Sequence, residues 1–216
     1  MTRSSHAWIA VALTSISMLL FGSMAVAQQP ASIGKVTALE GNATVLHRGN
    51  LLDSPLALQS PLYPEDMIHT QAASKIKLSL VDGTVLSLAE KSTLHITTFV
   101  YSPKQKTRTS LFSIPEGIFR AVTAKVLRRS KVEVATTTAV AAIRGTDWMG
   151  EVTVESSAMV VLKGKVAVSS IHHQVRGKVT LTERMGTTVK GTQPPTTPNQ
   201  WGEARVNALM KATQLP

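Results

Sequence analysis

The residues most suggestive of chemistry are Arg144-Gly145-Thr146-Asp147, which follow the small apolar run Thr138-Ala139-Val140-Ala141-Ala142-Ile143 and lead into Trp148. A guanidinium beside exposed amides at a glycine turn is the make-up of an anion pocket. The same four residues also make a tight turn locked by an Arg144–Asp147 ion pair. The turn is the better reading, because a glycine at such a step first serves backbone geometry that other residues resist.

The other chemistry-bearing residues are sparse. His172 and His173 are adjacent, so on a strand they point to opposite faces and are poorly placed to share a metal. His47, His69 and His95 are scattered, with no carboxylate at ligand spacing. Asp66 and Asp82 are imaginable as an acid and base, but Asp82 is explained by the Asp82-Gly83 turn and Asp66 by a solvated loop. The chain has no cysteine, which removes disulfides, thiolate metal sites and a cysteine nucleophile. It also lacks a Gly-x-Ser-x-Gly elbow, a His-Glu-x-x-His pair and a phosphate-cradling glycine loop. No enzyme activity, metal or cofactor is expected.

Charge is the strongest surface signal. Formal net charge is +10 over 216 residues. Lys104, Lys106, Arg108, Lys125, Arg128, Arg129 and Lys131 cluster in two polar stretches between strand-like runs. If both stretches emerge at one end of a sheet, they form a basic patch for an anionic partner. Otherwise they are solvated loops that guard strand ends against aggregation.

The elements that position these residues read as β throughout. In Lys75–Leu88, Ile76, Leu78 and Leu80 alternate with Lys75, Lys77 and Ser79; Asp82-Gly83 follows as a hairpin dipeptide, and Leu86 and Leu88 return on the same face. Leu94 and Ile96 continue as a third strand. Glu40-Gly41-Asn42, Glu155-Ser156-Ser157 and Lys163-Gly164 read as further hairpin turns. Prolines 55, 61 and 64 make the stretch from Asn50 to Pro64 a crossing loop. Val175–Leu181 and Thr187–Val189 suggest two more strands. Gly191–Asn199 reads as a Pro/Thr linker, and Asn199 as the N-cap of a short helix over Trp201–Thr213. Such a helix must dock on the β body or fray.

The first 27 residues speak to compartment. Arg3 precedes the apolar Ala7–Gly22, and Ala25-Val26-Ala27 is a small-x-small cleavage site. This is the layout of a secretory signal peptide cut after Ala27; an uncleaved inner-membrane anchor is the rival reading. Export removes nucleic acid as an expected partner.

Asp82-Gly83-Thr84, Pro115-Glu116-Gly117-Ile118-Phe119-Arg120, the Thr138–Asp147 run and Val161-Leu162-Lys163-Gly164-Lys165-Val166 follow one another in an order that resembles the FecR domain, an all-β extracytoplasmic module, over roughly Gly34 to Val168. The resemblance implies regulatory interaction with other proteins; in its best-known setting the module relays occupancy of an outer-membrane iron-siderophore transporter to a sigma factor. Only six residues precede the apolar run, so direct sigma-factor contact is not carried over.

The expectation is therefore an all-β protein of antiparallel hairpins, a two-sheet sandwich or solenoid-like stack. Residues 1–27 are the signal peptide, 28–190 the β domain, 191–199 the linker and 200–216 the helical tail. Its location is the periplasm, with no membrane-spanning segment after cleavage. Its partner is an envelope protein or, alternatively, peptidoglycan or lipopolysaccharide; oligomeric state is left open.

Overall fold

Alternation of buried and half-exposed residues at period two runs through most of the chain, as in Lys75–Leu80 and Arg129–Thr136. The computed structural model describes residues 31–124, 127 and 129–215. The signal-peptide reading, including cleavage after Ala27, and the patch residues Lys125 and Arg128 lie outside these residues.

In chain order the strands are β1 (Gly34–Glu40), β2 (Ala43–Leu46), β3 (Ser54–Pro55), β4 (Pro61–Leu62), β5 (Met67–Thr70) and β6 (Lys75–Leu80). Then come β7 (Val85–Leu88), β8 (Thr93–Ser102), β9 (Thr107–Val122), β10 (Arg129–Thr136), β11 (Ala139–Ile143) and β12 (Asp147–Val152). The last are β13 (Ser156–Lys163), β14 (Val166–Ser170), β15 (Lys178–Leu181), β16 (Met185–Lys190) and β17 (Asn199–Gln200), followed by helix α1 (Glu203–Thr213).

The strands join in one open hydrogen-bonded sheet, folded so that two layers enclose a single core. One layer runs β4, β1, β6, β7, the second half of β9, β12, β13, β16, β17. The other runs β3, β2, β5, β8, the first half of β9, β10, β11, β14, β15. Inward residues of both layers, among them Leu78, Leu86, Phe119 and Trp148 from the first and Ile68, Ile96, Phe112 and Val168 from the second, form one cluster. Among the described residues β9–β10 is the one parallel pairing; the rest are antiparallel.

Layer membership corrects three local expectations. Gly41 (φ 71°) and Gly164 (φ 97°) do not close hairpins. They arch the chain from one layer to the other, since β1 pairs with β6 while β2 pairs with β5, and β13 pairs with β16 while β14 pairs with β11. Likewise the strand holding Leu94 and Ile96 is not the third of its sheet: after β7 the chain crosses to the opposite layer, where β8 pairs with β5 and β9. Periodicity reports which face of a strand is buried, and an arch and a hairpin leave that pattern equally intact.

The register defines two ends. At the front end lie the entry of the chain at Ile33, whose amide bonds Leu62 O and whose carbonyl accepts from Val81, the loop after β2, the turns 81–84 and 103–106, and the arches 144–146 and 164–165. At the back end lie the arches 41–42 and 89–92 and the hairpin 153–155.

Helix α1 docks. It covers the outer face of the first layer, where Met149, Ala158, Val160, Trp201 and Leu209 form a second apolar cluster. Lys75 Nζ donates to the carbonyls of Lys211 (3.0 Å) and Gln214 (3.4 Å), and Lys77 Nζ to Leu215 O (2.8 Å). These cations meet the helix end where partial negative charge accumulates. The N-cap is Gly202, not Asn199, because Asn199 is paired with Gly186 in the sheet. The Pro/Thr segment before it is pinned to β16: Thr196 Oγ1 accepts from the Thr188 amide (3.0 Å), and Thr187 Oγ1 donates to Thr196 O (2.7 Å).

Candidate interaction surface

The Asp-Gly-Thr step at residues 82–84 builds a buried polar knot. Gly83 takes φ 83°, and Asp82 folds back to accept from the Thr84 amide and hydroxyl, both at 2.9 Å. The Asp82 carboxylate also receives Arg108 Nη1 at 3.0 Å, while Arg108 Nε donates to Ser130 Oγ (3.1 Å) and Nη2 to Ala124 O (3.4 Å). Arg108 is 2% exposed. It is therefore not a member of a surface patch, contrary to its reading from sequence. It points inward because its neighbours on β9 alternate, and Phe112 and Ser110 share its face.

Arg144 and Asp147 do not pair. Gly145 (φ 63°) turns the chain across layers, leaving Arg144 exposed at the end of β11 and placing Asp147 on β12. Asp147 is diagonal to Arg120 on the adjacent strand and takes it bidentately, Nε at 2.9 Å and Nη2 at 2.8 Å. That hydrogen bond raises the Arg120 pKa above its ordinary value, against the opposing effect of burial. Thr146 stitches the arch: its amide donates to Thr123 Oγ1 (2.8 Å) and its hydroxyl to Lys165 O (2.8 Å). The Arg-Gly-Thr-Asp step and the Pro-Glu-Gly-Ile-Phe-Arg segment thus close on each other.

A third polar group escaped sequence reasoning. Asp66 is fully buried, accepts from the Tyr63 amide (2.8 Å) and shares a hydrogen bond with His47 Nδ1 at 2.7 Å. The Tyr63 ring meets His47 edge-on at 5.5 Å, and Arg48 bonds Glu65 at 2.6 Å beside an open cavity of about 740 Å³. Nineteen residues separate His47 from Asp66, so no spacing rule links them. Asp66 and Asp82 each hold a different basic partner. Among the described residues no group of three or more His, Asp and Glu is placed to hold a metal. His172 and His173 are exposed in the loop after β14.

Part of the basic cluster is brought together. Lys104 and Lys106 lie exposed on the turn between β8 and β9. The Arg129 amide donates to Lys106 O (3.4 Å) as β10 enters parallel to β9. Lys131 follows on the outer face, in an ion pair with Glu133 at 3.0 Å.

This two-layer sheet with bonded arches is a β-sandwich frame. Residues 66–167 match the family model described as FecR protein. Two crystal structures of a protein from Parabacteroides distasonis ATCC 8503, provisionally described as an anti-sigma factor, are similar in fold: each has a TM-score of 0.54 and 20% identity and covers 67% of this chain. This chain in turn spans 64% and 63% of those two chains. No curated protein matches the chain significantly. Among the described residues no helix is long and apolar enough to cross a membrane.

Proposed function

We propose that the chain is a non-catalytic FecR-domain protein of the periplasm, exported by cleavage after Ala27, that works as an adaptor for another envelope protein in signalling or assembly. The observation carrying this reading is the FecR match over 66–167. Its polar residues Asp82, Thr84, Thr146 and Asp147 are bonded within the domain's own turns, arches and strands. Groups held this way brace a scaffold for contact. The description of the P. distasonis relatives agrees with a regulatory role.

A second reading, binding of peptidoglycan or lipopolysaccharide, draws on Lys104, Lys106 and Arg129 meeting at one end. Pull-down from envelope extract across a salt series separates the two. Capture that persists above physiological ionic strength, and survives K104E/K106E/R129E, marks a shaped protein interface; loss of capture marks generic electrostatics. Fractionation with mass measurement of the N-terminus checks the compartment: a protein beginning at Gln28 in the periplasmic fraction is expected, and an intact leader on cytosolic protein overturns it.

A further inference from the structure

The front end differs from the rest of the surface in two independent ways. First, six cations project there from different turns and arches: Lys104, Lys106, Arg129, Arg144, Lys163 and Lys165. Among the described residues none of the six side chains forms an ion pair. The arches carrying Arg144 and Lys165 touch, through Thr146 Oγ1 and Lys165 O. Exposed acids at this end are fewer: Asp53 accepts from Thr44, Glu65 is bonded to Arg48, Glu203 to Arg184, and Glu183 remains.

Second, exposed aliphatics concentrate at the same end. Leu51 (96% exposed) and Leu52 (80%) are adjacent on the loop after β2, and Met67, Val81, Val100 and Val122 stand at front-end strand tips. Away from this end the exposed aliphatics stand singly: Leu58 between β3 and β4, Val154 beside Glu155, Ile171 after β14 and Met210 on the helix. Bare leucine pairs on a loop cost solvation unless something covers them. The leucines stand at the β2 edge of this end and the cations on β8 to β14 beside it; exposed aliphatics and unpaired cations facing one way are the chemistry of insertion at an anionic lipid interface: acyl boundary for the leucines, phosphates for the cations. An acidic protein would account for the cations alone.

We propose that the front end is a lipid-docking surface, in which Leu51 and Leu52 dip into an anionic phospholipid bilayer and the six cations engage its phosphates. This goes beyond the adaptor reading and leaves the back end, the helix face and the sheet edges for a protein partner.

The absence of cysteine allows a direct test on the intact chain. L51C and, at the opposite end, V154C are each labelled with an environment-sensitive nitrobenzoxadiazole probe and mixed with vesicles. On vesicles containing phosphatidylglycerol the label at 51 should brighten by about two-fold or more as it leaves water, while the label at 154 stays unchanged. Phosphatidylcholine vesicles, or roughly 0.5 M salt, which shortens the screening length to a few ångströms, should remove most of the response. The substitutions K104Q/K106Q/R144Q/K163Q/K165Q, all at exposed positions, should do the same with an unchanged circular-dichroism spectrum. Silence at 51, equal brightening at both ends, or an undiminished response on neutral lipid or at high salt overturns the proposal. So does an equal response to poly-glutamate, which would assign the surface to an acidic polypeptide.

Discussion

At the scale of residues, the fold's signature motifs are bonds between charges, and the Asp82–Arg108 knot is the deepest of them. A buried ion pair is costly to break because the survivor is left without its counter-charge. Asp82→Ala should therefore lower unfolding free energy by about 3 kcal/mol or more in urea titration. Adding Arg108→Met should recover much of that loss, since an apolar side chain of similar length needs no partner. A double variant no better than the single one would show that Thr84 and Ser130 matter as much as the pair. How little of this was readable from the chain is instructive. The Asp-Gly dipeptide announces the turn that Asp82 occupies; its second duty depends on Arg108, 26 residues away. Arg108 in a run of lysines looks like surface, and only its inward phase on β9 says otherwise. For Asp147 the nearby Arg144 was the natural guess, but adjacency along the chain is cut by Gly145, and the neighbour across the sheet wins.

Among elements, β9 is the one shared by both layers. It bends at Pro115-Glu116-Gly117, where Gly117 takes φ 103° and packs its bare Cα against Ser92. Ser92 Oγ in turn accepts from the Ile118 amide at 3.1 Å. An added methyl here meets both a disfavoured backbone and a filled space. Gly49 is the natural control, with φ 82° and nothing within 4 Å. Gly49→Ala should cost about 1 kcal/mol, the backbone effect alone, whereas Gly117→Ala should cost at least about 3 kcal/mol. Equal losses in thermal denaturation would mean that β9 can unbend without harm. Strand existence was legible throughout this region, because alternation of Leu, Ile and Phe with polar residues is a local property. Which layer each strand joins was not legible: an arch and a hairpin both ask for a glycine with positive φ, and only long-range pairing tells them apart.

For the whole molecule, sharing of β9 ties the halves together. Neither layer closes over the common core without the other, so the described body should unfold in one step. Tryptophan fluorescence, which reports Trp148 in the core and Trp201 under the helix, should follow the same urea curve as far-UV circular dichroism. Separate midpoints would reveal a helix face that melts ahead of the sandwich. The charge that composition announced also acquires a direction here. A net count cannot say that Arg108 and Arg120 are spent inside the fold, or that Lys75 and Lys77 serve a helix. What remains unspent gathers largely at one end.

Strand β6 has a role that only its neighbours reveal. It receives β1 along one edge, and its two lysines hold the final carbonyls of α1. The opening and the closing segments of the described chain are thus moored to the same six residues. A short bridge of glycine and serine could splice Leu215 to Ala31, with a new start cut in the exposed 171–177 loop, and the reordered polypeptide would keep every tether it now has.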